Sequence, residues 1–226
     1  MPTAASMTKT FCLAALALAA GACRSRAKAP DATDYTRAMN AYLQKRGDLC
    51  IARADWPVDV TPGDVAEGTR DAVQMPVLEK LKLVESAPVP QAPGVTRYRL
   101  TALGKQQYID RETRRPVSPD GPRQGMADFC VARLSLDQIK HVELHQVPNV
   151  PPHAVITYTY DVAAPDWTRD PAARRVFPAV DRVVSGAHTA SLREELTLTP
   201  DGWVANELLP AAGASGAVAA KTAERP

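Results

Sequence analysis

The sequence predicts an α+β fold of two small halves with antiparallel β-hairpins, and three observations lead to this expectation. Apolar residues recur at helical spacing in residues 35–45 and 70–81. Residues 139–147 and 154–162 alternate between apolar and polar side chains, and the proline-rich segment 148–152 between them is typical of a hairpin loop. Short motifs of the first half return in the same order in the second half, which indicates an internal duplication.

Length and composition limit the class of protein. The chain has 226 residues, enough for one large domain or two small ones. With 45% hydrophobic and 23% charged residues, its composition is close to the globular average. A formal net charge of +2 gives no reason to expect nucleic acid or an anionic membrane surface as a partner.

The first 22 residues have the pattern of a secretion signal. Lys9 supplies the positive charge, and the apolar run 11–20 is too short to cross a bilayer as a helix. Met7 is an alternative start that gives a more compact leader. Small residues then lead directly to Cys23. They are Ala20, Gly21 and Ala22.

This stretch resembles the lipobox of bacterial lipoproteins, although Ala20 stands where leucine is usual. The resemblance implies cleavage before Cys23 and acylation of that cysteine, palmitate included. Several acyl chains on one cysteine give a stable membrane anchor. Arg24 replaces the aspartate that signals retention in the inner membrane, so the resemblance implies an outer-membrane location facing the periplasm. The alternative is an ordinary secretory leader cut after Ala22.

The mature chain divides into four predicted segments. Residues 23–34 are charged, small and proline-bearing, and are predicted to be the tether of the lipid anchor. Residues 35–115 form the first half, and residues 116–208 form the second half with an inserted hairpin. Residues 209–226 are rich in alanine and glycine without periodicity, and are predicted to be a disordered tail.

The first half is predicted to begin with a helix over 35–45, with Asp34 as its N-cap. A short strand follows at 50–52. A second helix covers 70–81, where Pro76 requires either a kink or a helix start. The apolar stripe of this second helix comprises Val73, Val77, Leu78 and Leu81.

Residues 77–86 and 96–108 resemble the core of winged-helix domains. The second half repeats this arrangement more weakly, so both halves are expected to be winged-helix-like. In that family a helix is followed by a loop and by a strand, and here Tyr98 and Leu100 would lie on the strand 96–100. Thr101 is predicted to cap the segment after the strand. Most winged-helix proteins bind DNA, but acidic residues offset the lysines on this helix, so we expect a scaffold for packing or protein contact instead.

The second half is predicted to hold two hairpins and one helix. The first hairpin joins strands 139–147 and 154–162, and a helix covers 171–184. The second hairpin turns at 200–202. The motifs shared with the first half are Cys50–Arg53 with Cys130–Arg133, Thr69–Asp71 with Thr168–Asp170, and Leu100–Gly104 with Leu198–Gly202.

Two cysteines remain in the mature body, Cys50 and Cys130. They share no CxxC or metal-binding spacing, so in an oxidising compartment a structural disulfide is the simplest interpretation. The alternative is a pair of buried free thiols.

Histidines give the sequence its one candidate metal site. His141, Glu143 and His145 alternate along a predicted strand and would point to one face, and His153 lies just past the hairpin loop. The simpler alternative is a solvated strand face beside Lys140, so we predict no metal and no cofactor.

Two tryptophans are candidate contacts for a partner. Trp56 and Trp167 each lie beside proline and aspartate, and exposed tryptophans often anchor protein interfaces. The alternative is that each caps the core of its half. Residues 158–160 are a candidate edge strand for β-augmentation, with inter-sheet packing as the alternative.

The functional expectation is a non-catalytic envelope lipoprotein that binds or scaffolds an unknown envelope protein. Its membrane contact is the lipid on Cys23. One alternative is a periplasmic metal-dependent hydrolase that uses His141, Glu143 and His145. Another is an immunity or inhibitor protein against a periplasmic toxin.

Overall fold

The computed structural model describes residues 32–119 and 127–210, which contain six helices and nine strands in antiparallel sheets. This mixture of helix and antiparallel sheet confirms the α+β expectation. The predicted leader 1–22 and Cys23 lie outside the described residues, as do most of the tether and the tail beyond residue 210.

The elements follow in this order. Up to residue 119 they are α1 (Ala32–Arg46), β1 (Asp48–Cys50), β2 (Val58–Val60), α2 (Pro62–Glu67), α3 (Arg70–Lys80), β3 (Val84–Pro88), β4 (Thr96–Leu100), α4 (Ala102–Lys105) and β5 (Tyr108–Asp110). From residue 127 they are β6 (Ala127–His145), β7 (His153–Ala163), α5 (Pro171–Val176), α6 (Pro178–Ser185), β8 (Ser191–Thr199) and β9 (Gly202–Ala205). Short 3₁₀ turns cover Asp166–Arg169 and Asn206–Leu208.

Helix α1 confirms the first predicted helix but begins earlier. It starts at Ala32, so the last three residues of the predicted tether, including the expected cap Asp34, are already helical. Tyr35, Met39 and Leu43 are buried along one side of the helix, as expected for apolar residues three to four positions apart.

Helices α2 and α3 are both capped by threonine. Thr61 and Asp64 form a capping box at the start of α2, and Gly68 ends it in the left-handed region with φ of 65°. Thr69 then caps α3, which confirms the predicted helix and carries Pro76 within it.

The predicted apolar stripe of α3 is wrong at one position. Val73 is 46% exposed, whereas Gln74 beside it is buried. The Gln74 amide donates a hydrogen bond to the carbonyl of Val176 over 3.1 Å, and Arg70 donates to its oxygen over 3.2 Å. These bonds allow a polar side chain to take a core position.

A three-stranded sheet has the order β2-β4-β3. Strand β4 matches its prediction, but β3 occupies part of the segment expected to be a loop. β3 pairs with β4 from Val84 opposite Leu100 to Pro88 opposite Thr96. The sequence VESAP has no apolar–polar alternation that would predict a strand, and its last four residues are exposed in the structure.

The larger sheet has the order β1-β6-β7-β8-β9, with β5 also paired to β6. Both predicted hairpins are present, and β6 begins at Ala127, well before the predicted start. The predicted strand at 50–52 lies instead at Asp48–Cys50. Residues 158–160 lie on β7, between β6 and β8, and are buried, so they do not form a free edge and the packing alternative is favoured.

The single helix predicted over 171–184 is two helices. Phe177 leaves the helical region with φ of −123° and ψ of 61°, and Pro178 begins α6. Proline lacks an N–H and disfavours a helical residue before it. Because the Phe177 side chain is buried, the break turns an aromatic ring into the core.

Two groups of buried apolar residues form the core. One centres on Met75, Leu78 and Phe129, and the other packs α1 against the sheet around Ile156 and Leu196. Both groups draw residues from either side of residue 115, so the predicted boundary between the halves does not separate them.

Two of the repeated motifs differ in local structure. Thr101 caps α4, whereas its counterpart Thr199 lies at the turn between β8 and β9. The cap of α3 is Thr69, whereas the cap of α5 is Asp170.

Candidate functional site

The predicted histidine pattern lies on one face of the larger sheet, as expected. His141, Glu143 and His145 occupy alternating positions of β6. Their partners across β7 are Thr157, Val155 and His153, respectively. In an antiparallel pair, directly opposed residues share a face. This face, which we call the polar face, is the side of the sheet away from α1.

Charged and aromatic contacts connect three strands across the polar face. Glu143 Oε1 lies 3.2 Å from His145 Nε2, and Glu143 Oε2 lies 3.5 Å from Arg193 Nη2. The His145 and His153 rings stack with centroids 4.7 Å apart and planes 11° apart. The side chains of Glu143 and Arg193 are 48% and 66% exposed, so this face is open to solvent.

Asn206 extends the network to the end of β9. Thr197 donates its hydroxyl proton to Asn206 Oδ1 over 2.7 Å, and the Asn206 amide donates to Glu195 over 3.2 Å. The alternation in SLREELTLT could have placed Arg193, Glu195 and Thr197 on one face, but no local pattern predicts that Asn206 folds back onto them.

The structure does not gather a metal site from these residues. Among residues 32–119 and 127–210, no group of three or more His, Cys, Asp or Glu side chains is arranged to hold a metal ion. The stacking of their rings explains why His145 and His153 do not bind one metal ion together. Ring nitrogen lone pairs lie in the ring plane, so two nearly parallel rings direct them side by side instead of toward one point.

The tryptophans pack inward. The Trp56 ring lies 6.0 Å from Phe129, the Trp167 ring lies 6.3 Å from Phe177, and both indoles are partly buried against the same core group. Within the described part of the chain, neither buried indole N–H has a hydrogen-bond partner. This placement favours the alternative in which each tryptophan caps the core.

A buried polar cluster lies on the opposite face of the sheet, and sequence patterns did not single it out. Glu194 is 8% exposed and accepts a hydrogen bond from Tyr42 of α1. Burial raises the pKa of the Glu194 carboxyl above its usual range, and the nearby Glu207 charge adds to this effect. Burial and the Glu194 charge also raise the pKa of Tyr158 to about 12. A glutamate in the alternating pattern of β8 gives no sign that a tyrosine will enclose it.

Cys50 and Cys130 form the disulfide that the sequence predicts. They lie directly opposite each other on β1 and β6. Two residues before Cys50, the side chain of Asp48 is only 4% exposed. Its carboxylate forms ion pairs with Arg133 at 2.9 Å and with Arg114 at 3.0 Å. The disulfide and the Asp48–Arg133 ion pair therefore hold β1 to β6, and the Asp48–Arg114 ion pair holds β1 to the turn after β5.

Comparison of the chain with protein-family models, with curated proteins and with solved structures found no match. In the two stretches that the structure describes, none of the helices has both the length and the apolar character required to span a bilayer. The proposed acylation site Cys23 lies before the first described residue.

Proposed function

We propose that this chain is a lipid-anchored protein of the bacterial outer membrane that binds another envelope protein through the polar face. The observation that carries the anchor is the run of small residues Ala20, Gly21 and Ala22 immediately before Cys23, directly after an apolar segment. Arg24 in place of aspartate supports the outer membrane.

The disulfide supports an oxidising compartment such as the periplasm. Disulfides persist in such compartments and are rare in the reducing cytosol. The Cys50–Cys130 bond closes a sequence separation of 80 residues, and the chain-entropy relation assigns it about 4 kcal/mol of stabilisation.

Exposed charges of both signs on the polar face support protein binding. Glu143 and Arg193 form an ion pair on this face, and Glu195 lies level with Glu143 on the far side of Val155. His145 and His153 add a flat aromatic surface. Mixed charges of this kind can match a partner of complementary pattern, which favours specific encounter.

We further propose that the first half is winged-helix-like. Helices α2 and α3 followed by β3 and β4, with the sheet order β2-β4-β3, support this proposal. In the second half α5 and α6 are also followed by two strands, but β8 and β9 extend the larger sheet in the order β7-β8-β9. The winged-helix-like arrangement is therefore proposed most strongly for the first half, where it would serve as a scaffold.

The binding proposal is tested by exchanging the charges of one ion pair. The double variant Glu143→Arg/Arg193→Glu keeps an ion pair but reverses the charge pattern of the polar face. The matched control is Asp59→Arg/Arg97→Asp, which exchanges the charges of a pair 2.6 Å apart on the three-stranded sheet. Tagged, full-length chains are cross-linked in intact envelopes and purified.

We expect the wild-type chain and the control to retain the same envelope partner, and we expect its yield to fall at least about tenfold with the polar-face variant. Equal recovery of that partner by all three chains would contradict the assignment of the polar face. Loss of the partner with the control variant alone would assign the binding site to the three-stranded sheet instead.

A further inference from the structure

The β6–β7 hairpin ends in an exposed apolar surface, which we call the hairpin tip (residues 144–152). Leu144, Val147 and Val150 are 40%, 54% and 51% exposed. The hairpin tip contains no Asp, Glu, Lys or Arg. Aliphatic side chains grouped without charges on a protruding turn are typical of a contact surface.

The turn itself holds two of these side chains close together. The Val150 N–H donates to the Val147 carbonyl over 3.2 Å, and Asn149 has φ of 63°. Proline followed by asparagine with positive φ is the pattern of a type II turn. Pro148, Pro151 and Pro152 restrict the backbone, so little conformational freedom is lost when the valines enter an apolar medium.

The described chain begins at the same end of the molecule as the hairpin tip. The ring of Tyr35, in the first turn of α1, lies 5.1 Å from the ring of Trp203. Trp203 is paired with Leu198, whose N–H donates to the carbonyl of Pro152 over 2.8 Å. Tyr35 is thus connected to the last residue of the hairpin tip through two adjoining strands.

The other end of α1 points away from the hairpin tip. Just after α1, the Gly47 carbonyl accepts a hydrogen bond from Leu134, near the start of the β6–β7 pairing. The distance along β6 from Phe129 to His145 is roughly 50 Å at the usual rise of a strand. The three-stranded sheet and α3, whose core group includes Phe129, therefore lie far from the hairpin tip.

We infer that the hairpin tip contacts the lipid bilayer to which Cys23 is anchored, as a second and shallow attachment. This inference rests on the proposed lipid anchor. Residues 24–31 link Cys23 to α1, and even fully extended they span only roughly 28 Å. An acylated Cys23 in the bilayer therefore keeps the start of α1, and the hairpin tip beside it, close to the lipid headgroups.

Bilayer contact fits the chemistry of the hairpin tip. When the hairpin tip enters the interfacial region of the bilayer, no carboxylate, ammonium or guanidinium group of the turn loses its hydration. Three aliphatic side chains are removed from water, which is favourable. A second copy of the chain or a protein partner could cover the same side chains, but the position of the anchor favours the membrane.

Fluorescent labels on the acylated, full-length mature chain test this inference. A polarity-sensitive nitrobenzoxadiazole label is attached to Val150→Cys at the hairpin tip, or to Val65→Cys in α2. Val65 is 65% exposed and serves as the matched control. The proteins are placed in vesicles of phosphatidylethanolamine and phosphatidylglycerol, with and without nitroxide-labelled lipid, and mass spectrometry confirms acylation of the same samples.

At one protein per vesicle, we expect nitroxide lipid to lower the emission of the Val150→Cys label at least about twofold, since a shallowly inserted group lies within about 10 Å of the headgroup boundary. The Val65→Cys label should keep its emission. Adding Leu144→Ser/Val147→Ser should restore emission at position 150. The paired change Val73→Ser/Leu103→Ser, at two other exposed apolar residues, should not restore it.

Each of the following results would overturn the inference. Equal quenching at both positions, or no quenching at either, would show that the hairpin tip has no particular contact with lipid. Quenching or a spectral shift that requires many proteins per vesicle would assign the surface to a second copy of the chain. A chain without an acyl group would overturn the anchor and this inference together, whereas an acylated chain with an unquenched hairpin tip would overturn this inference alone.

Discussion

Glu194 shows how one residue departs from the pattern around it. It occupies a buried position of β8, two residues before Leu196, where its carboxyl group lies beside Tyr42. Alternation along a strand predicts which face of the sheet a side chain lies on. It does not predict the hydrogen-bond partner that allows a polar side chain to be buried. Gln74 is the same case in a helix, because its partner at Val176 is distant in sequence. Long-range hydrogen bonds of this kind are what the sequence could not predict.

The raised pKa of Glu194 predicts a pH-dependent effect of Glu194→Gln. The folded chain binds this proton more tightly than the unfolded chain, so ionisation of the carboxyl destabilises the fold as pH rises from the ordinary value of 4.5 through the raised pKa. Glutamine keeps an acceptor for Tyr42 and removes the charge. We expect a higher Tm than wild type at pH 8, and a difference that vanishes below pH 4.5, measured by circular dichroism.

Glu195→Gln is the control for that measurement, because Glu195 is the next residue and is exposed. It should change the Tm little at either pH. A gain in stability for Glu194→Gln that is the same at pH 4 and pH 8 would show that burial of the charge is not its cause.

At the scale of elements, hydrophobic periodicity predicted helices α1 and α3 and the β6–β7 hairpin, because each has a long periodic run. It missed β3, whose residues are mostly exposed, and it merged α5 with α6 across Pro178. Both errors have one origin. A short element is stabilised mainly by what packs against it, and a local pattern of five or six residues does not contain that information.

Gly104 is required by the packing of α4 onto the loop after α3. The reason is steric. A Cβ atom at this position would overlap the carbonyl oxygen of buried Leu83 and lie 3.1 Å from Leu100 Cδ2. We expect Gly104→Ala to lower the free energy of unfolding by about 2 kcal/mol in urea titrations, a usual cost of overpacking.

Gly63→Ala provides the comparison, since its nearest contact would be Thr61 Oγ1 at 3.5 Å. Within helix α2 alanine should be neutral or slightly stabilising. If both alanine variants unfolded at the same urea concentration, close approach of Leu83 would not be the reason for Gly104.

At the scale of the whole molecule, β6 is the element that joins the two core groups. Phe129 and Val131, near its start, belong to the group that includes Met75, whereas Leu136 and Ile139 pack against the group that includes Ile156. The repeated motifs predicted two halves from the sequence, but they could not show that one strand contributes to both cores. The Cys50–Cys130 bond lies near the start of this strand.

Removing that bond should weaken the whole fold. We expect Cys50→Ala/Cys130→Ala to lower the free energy of unfolding by about 4 kcal/mol, because the oxidised chain closes a long loop in its unfolded state. Urea unfolding of the oxidised wild type, the reduced wild type and the double variant gives the comparison. The reduced wild type should resemble the variant. A variant as stable as the oxidised protein would show that the disulfide contributes nothing to the fold.

Acylation of Cys23 is the property on which the membrane location and the role of the hairpin tip depend. It is measured most directly by growing cells that make the full-length chain in radioactive palmitate, beside cells that make Cys23→Ala. We predict labelled wild-type protein in the outer membrane and no label on Cys23→Ala. Label retained by Cys23→Ala, or an unlabelled wild-type chain inside the cell with its leader attached, would contradict the anchor.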